Sequence, residues 1–172
     1  KLGYMKNVTI DSVRDENGNY KEGIGLFNHG IEFSNVNSEI GTLENVKVYS
    51  RGQALTLYAK SIGKMTNCVF DGTNIALAIG NLQCDVELEN CVVNSEVLAI
   101  YIEKASASTK FIFDEYTTIS SSGTAFYILP TGDEYDFSAL TTAVALVNGQ
   151  LYSSFEAALA ALAASAALAV SD

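Results

Sequence analysis

Tyr58, Tyr101 and Tyr127 fall at related places in short apolar segments of the chain. A tyrosine standing outward from a strand can stack its ring on a sugar face while its hydroxyl hydrogen-bonds, which makes these three the candidates for glycan contact. Tyrosine is also an ordinary strand residue, and strand propensity alone is the simpler account of all three. The other groups that could do chemistry are isolated. His29, in Phe27-Asn28-His29-Gly30, has no serine or cysteine set beside it by a nucleophile motif and reads as a turn histidine. Asp71, Asp85, Asp114 and the Asp133-Glu134-Tyr135-Asp136 cluster follow neither an EF-hand nor a glycine-rich nonapeptide pattern, so they read as solvated acids rather than calcium ligands. Cys68, Cys84 and Cys91 are odd in number and accompany a single histidine, too little for a disulfide framework or a tetrahedral zinc site. The expectation is no catalytic residue, no metal site and no cofactor.

The element that must position these groups is a repeat. An apolar-x-Asn-apolar-x-apolar segment recurs as Met5-Lys6-Asn7-Val8-Thr9-Ile10, Leu43-Glu44-Asn45-Val46-Lys47-Val48, Met65-Thr66-Asn67-Cys68-Val69-Phe70 and Leu88-Glu89-Asn90-Cys91-Val92-Val93. A degenerate copy follows at Phe113-Asp114-Glu115-Tyr116-Thr117-Thr118, and from Asn45 onward the central spacings are 22, 23 and 25. A second set, Ala54-Leu55-Thr56-Leu57, Ala76-Leu77-Ala78-Ile79, Ala99-Ile100-Tyr101-Ile102 and Ala125-Phe126-Tyr127-Ile128, keeps the same rhythm at 22, 23 and 26. Two interleaved families of short strands at this period require one coil of backbone per repeat, which is a solenoid. The period is too short for two-helix repeats, and Val, Ile, Thr, Tyr and Phe favour strand. Asparagine tolerates a left-handed bend and its amide can bond the same amide one coil away, so Asn45, Asn67 and Asn90 read as an architectural ladder. Val46, Cys68 and Cys91 follow that ladder and stack inside. Cys68 and Cys91 then lie about one strand spacing apart, but with parallel side-chain vectors that suit a disulfide poorly, so buried free thiols are expected.

From about Gly3 to Ile128 these coils resemble the right-handed parallel β-helix, or pectate-lyase-like, superfamily, whose coils commonly read apolar-x-Asn-Val-x-Val with the asparagine at a tight bend. The resemblance implies an all-β tube of about five coils, each rising about 4.8 Å, with Val46, Leu57, Cys68, Ile79, Cys91 and Ile102 inside. Enzymes of that superfamily that cleave acidic polysaccharides use calcium-binding carboxylates beside a basic residue, or closely spaced aspartates. Here the outward positions of the second strand family read Thr56, Tyr58, Ala78, Gly80, Tyr101, Glu103, Tyr127 and Leu129, of which only Glu103 is a carboxylate. A lone carboxylate is not a general acid/base pair. Arg14 and Arg51 are the only arginines and neither lies in a repeated acidic context, so the superfamily's catalytic residues do not carry over.

Both ends depart from the rhythm. Asn7 and Asn45 are 38 residues apart, and the polar stretch Arg14 to Lys21 reads as a protruding turn. Gly25-Leu26-Phe27 is the expected first inner strand, and Phe33-Ser34-Asn35-Val36 competes with Asn7 as a rung of the ladder. The solenoid is expected over residues 1–130 and a C-terminal hairpin and helix over 131–172. Within the latter, Val144 to Val147 and Leu151-Tyr152 flank an Asn148-Gly149 turn as a hairpin. Ser153 or Ser154 caps a helix through roughly Ala164, and a closing strand follows at Leu168 to Val170. Phe155, Leu159 and Leu162 form one apolar face of that helix, expected to cap the last coil or to dock on a neighbouring copy. The run from Val147 to Leu159 is similar to the Val-x-Gly-x-x-Tyr-x-Ser-hydrophobic-x-x-Ala segments of large surface proteins of gut bacteria.

Composition limits the partners. In 172 residues, 10 Lys and Arg face 20 Asp and Glu for a formal charge of −10, which opposes nucleic acid and anionic membranes. The most apolar window, Phe155 to Val170, is alanine-dominated, contains Glu156, and is too short and weakly hydrophobic for membrane insertion. A start at Lys1 without an initiator Met or a cationic-then-apolar leader suits a processed or excised segment. The sequence therefore leads to a non-catalytic extracellular or cell-surface module, a structural or adhesive segment of a larger bacterial surface protein or appendage. Its expected partners are itself, head to tail, adjoining domains of a longer chain, or glycans. The alternative is a carbohydrate-active lyase or hydrolase, or a glycan-binding relative, on the same fold.

Overall fold

A computed structural model describes residues 2–11, 13–21, 29–105, 111–128, 145–147 and 150–169. It is a parallel β-solenoid of about four turns, mostly strand, with a single helix. The first sheet receives the asparagine-centred segments: β1 (Leu2–Asp11), β3 (Glu39–Ser50), β6 (Met65–Thr66) with β7 (Val69–Gly72), β9 (Val86–Glu89) with β10 (Val92–Ser95), and β12 (Phe111–Phe113) with β13 (Thr118–Ser121). The second sheet stacks β2 (Ile31–Phe33), β4 (Gln53–Tyr58), β8 (Ile75–Leu82), β11 (Leu98–Ala105) and β14 (Thr124–Ile128) in parallel, in that spatial order. A short β5 (Ser61–Ile62) pairs with the start of β3. Five copies of the repeat bound four intervals, so the stack is one turn shorter than the expected five.

The register follows the sequence repeat across the asparagine-centred copies, but the degenerate copy takes up one extra residue after Phe113, so that Val92 meets Thr118 rather than Thr117, and the second sheet shifts register after Ile102. Lys47 pairs with Val69, Val69 with Val92, and Val92 with Thr118 on the first sheet, while Leu55 pairs with Leu77 and Leu77 with Ile100 on the second. Like residues therefore stack on like. The row Val46, Cys68, Cys91 lies inside, as do Leu57, Ile79 and Ile102, all of them essentially inaccessible. Each such large apolar side chain contributes roughly 1.5–3 kcal/mol by leaving water.

The irregular start resolves through pairing. Ile31–Phe33, in register with Leu55 to Leu57, is the first inner strand among the described residues, and the expected strand Gly25-Leu26-Phe27 lies outside them. Asn7, not Asn35, takes the ladder position: Met5 pairs with Leu43 and Val8 with Val46. Asn35 instead closes a turn through its side chain on the Asn37 amide at 2.9 Å. The polar stretch after β1 does not protrude freely. It turns at Gly18, whose φ is 83°, and lies back on the first sheet, with Arg14 stacked 3.1 Å above the Tyr49 ring and Val13 buried.

At the other end, β15 (Ala145–Val147) and β16 (Gln150–Tyr152) form the expected hairpin, and β16 joins the first sheet antiparallel to β13. The helix, α1 (Phe155–Ala169), runs past the expected end, so Leu168 and Ala169 are helical rather than strand, and Val170 lies outside the described residues. An alanine run without a glycine or proline offers nothing to stop a helix. Ser154 caps it, its hydroxyl accepting the Ala157 amide at 3.1 Å. The face directed at the hairpin is the small one, with Ala158 buried. Phe155, Leu159 and Leu162 are exposed, and Leu151 of β16 is the large apolar side chain buried at this end.

Candidate functional site

The outer face of the second sheet carries the candidate glycan tyrosines, and the strand register separates them. Tyr101 aligns with Ala78 and Thr56 on one side and with Tyr127 on the other, whereas Tyr58 aligns with Gly80. The three do not form one row. Gly80 has no Cβ, and the Tyr58 ring occupies that space, where an added Cβ would meet the ring carbons. Lying across that glycine, Tyr58 reaches the coil two strands along and donates its hydroxyl to Glu103 Oε2. Burial, then the hydrogen bond and charge of Glu103, push the Tyr58 phenol up to about 12. Thr56 and Ala78 in the Tyr101 row are themselves buried, and Thr56 donates to Gln53 Oε1 at 2.6 Å. Tyr101 is half-buried; the Tyr127 backbone lies beside it, while the Tyr127 side chain is outside what the structure describes.

The outer face of the first sheet holds two further ladders. In the one nearer the turn after β1, Tyr20 donates to Asp71 Oδ1 at 2.7 Å, and Asn94 Nδ2 stands 3.4 Å from Asp71 Oδ2. Ser120 donates to Asn94 Oδ1 at 3.0 Å, extending the row over a third coil. Burial, with Asp71 as the next cause, raises the Tyr20 phenol well above its ordinary value. Arg14 is held by Asp11, Nε to Oδ2 at 2.8 Å. On the other half of the sheet Lys6 pairs with Glu44 at 2.6 Å, Tyr4 donates to the same carboxylate, and Lys64 pairs with Glu89. Beside that last pair a shallow pocket of about 240 Å³ is lined by Lys64, Glu87, Glu89, Ile112 and Asp114 among others. Asp114 is occupied: it accepts the Asn90 amide at 3.0 Å and the Thr117 hydroxyl at 2.6 Å. These alternating outward positions are visible in the repeats once aligned, but which of them pair depends on coil-to-coil distance.

Between the two halves runs the asparagine ladder. Asn7, Asn45, Asn67 and Asn90 all have φ between 50° and 56°. Asn45 donates to Asn7 Oδ1 at 2.8 Å and Asn90 to Asn67 Oδ1 at 2.6 Å. One residue on, Cys68 N–H donates to Cys91 Sγ at 3.4 Å inside the tube, and both thiols are free. Contact with Cys68, then burial, raises the Cys91 thiol, while the same contact with Cys91 lowers that of Cys68. Cys84 is also free and only partly buried. His29 lies at the surface with Nδ1 3.4 Å from Glu32. Arg51 donates to the Lys21 carbonyl at 3.0 Å. Among the described residues no group of three or more His, Cys, Asp or Glu is placed to hold a metal ion, and no helix is long and apolar enough to cross a membrane. Asp133 to Asp136 lie outside the described residues. In comparison with known proteins, the chain matches no family model, no curated sequence and no solved structure.

Proposed function

We propose that this chain is a non-catalytic extracellular β-solenoid module, a structural or adhesive segment of a bacterial surface protein or appendage, built on the right-handed pectate-lyase-like plan. The observation that carries the reading is the use made of the outward polar groups. Tyr58 with Glu103, Lys6 and Tyr4 with Glu44, Lys64 with Glu89, and Tyr20 with Asp71 each join one coil or turn to another. Groups engaged in this way brace the stack, while an acid/base pair needs groups aimed at a substrate. The test is incubation with pectin, alginate and related polymers in the presence of calcium. No unsaturated or reducing ends are expected; their release replaces this reading with the lyase or hydrolase one.

A second reading, glycan binding, is favoured by the pairing of Tyr101 with Tyr127 on adjacent strands, which brings the two positions into register one strand spacing apart. Soluble oligosaccharides should then perturb Tyr101 and Tyr127 in an NMR titration and leave Tyr58, held on Gly80, unchanged. If none of the three responds, the passive structural role stands alone.

A further inference from the structure

We propose that copies of this chain join head to tail through the two edges of the first sheet that have no partner strand among the described residues, β15 of one copy adding to β1 of the next. The proposal rests on the structural-module reading and supplies its partner. At the head, β1 pairs with β3 alone, from Leu2 opposite Ile40 to Asp11 opposite Tyr49, and among the described residues no strand lies on its other side. Its inward residues Met5, Val8 and Ile10 are only partly buried, whereas Leu43, Val46 and Val48, in the same rows one coil on, are fully inaccessible. At the tail, β15 pairs only with β16 among the described residues. There α1 rests its alanines on the hairpin and turns Phe155 and Leu159 outward, each 67% exposed.

A second copy is the occupant because one file of strands contains both edges. The Val8–Asp11 half of β1 leads through β3, β7, β10 and β13 to β16 and β15. Adding β15 to β1 therefore continues an existing sheet along its own stacking direction, with no lateral offset. Unpaired backbone edges favour such additions. The exposed helix face arrives at the same end as the half-buried head residues, so apolar surface meets apolar surface. Because head and tail are different surfaces, the contact is heterologous and repeats without closing.

The test is sedimentation velocity and light scattering of the full chain over a concentration series. Mass should climb past the dimer. Phe155→Glu with Leu159→Glu blocks the tail, and Val8→Lys, an inward charge on the edge strand, blocks the head. Each variant should self-associate at least tenfold more weakly, and the two mixed should form a one-to-one pair and stop. If Val8→Lys fails to fold by circular dichroism, hydrogen exchange on the unaltered chain reads the head directly. Amides of Val8 to Asp11 should gain at least tenfold protection as concentration rises, with β8 unchanged. A concentration-independent monomer, association that ends at a symmetric dimer, or variants that associate as before each overturn the proposal. Such results leave the module reading intact, whereas polysaccharide cleavage overturns that reading whatever the mass.

Discussion

Asn67 performs two tasks: its backbone sits at φ 54° and its Oδ1 accepts the Asn90 amide at 2.6 Å. Alanine loses both, at about 1 kcal/mol for the left-handed bend and about 1 kcal/mol for the hydrogen bond. Asn67→Ala should therefore lower unfolding free energy in urea by about 2 kcal/mol, and Asn67→Gly by roughly half as much, since glycine accepts the bend. Tyr58 gives a pH prediction. Its phenol titrates at about 12 in the folded chain against an ordinary 10.0. Below pH 10 both states hold the proton, so its contribution is fully present. Between 10 and 12 the unfolded chain releases a proton that the folded chain keeps, so stability falls as pH rises. Tyr20 acts in the same direction. Melting temperature should decline over that window, and Gly80→Ala, by displacing the ring, should return the Tyr58 phenol toward 10 in an ultraviolet titration.

At the scale of an element, the close approach of successive coils is set by stacked glycines. A Cβ at Gly41 would run into the Gly3 carbonyl, and one at Gly63 into the Gly41 backbone. Backbone cannot step aside as a side-chain tip can, so Gly41→Ala should destabilise the β1–β3 pairing by roughly 2 kcal/mol, within the usual range for steric substitutions in packed elements. Hydrogen exchange should show the loss first in β1, an edge strand with a single partner among the described residues. The helix illustrates a limit of pattern reading. Its largest side chains mark an apolar face, yet the small alanine face is the one that meets the hairpin, because close approach to a three-residue strand pair suits alanine.

For the whole molecule, the hairpin decides how the stack ends. Pairing of Ile119 with Leu151 and Ser120 with Gln150 covers the outer edge of β13 and closes the core beneath it. Truncation after Asp136 removes that cover and should yield a chain that aggregates in light scattering, since an uncovered parallel edge and an open core both recruit other chains. A truncated chain that stays monomeric with an unchanged melting temperature would mean that β13 needs no cover.

The sequence alone determined the solenoid, because a solenoid places residue i on its repeat equivalent, and that makes period, bend asparagine and inward rows local properties of each coil. The left-handed asparagines and the Val46, Cys68, Cys91 stack were legible for that reason. The tertiary structure decided whatever depends on distances between coils or across the ends. It set Ile31 to Phe33 in register with Leu55 to Leu57 and laid the turn after β1 on Asp71 and Tyr49. It also separated Tyr58 from Tyr101 by strand register and turned Phe155 and Leu159 to solvent. None of these follows from a period, since each is fixed by which surface a long excursion or a terminal segment finds within reach.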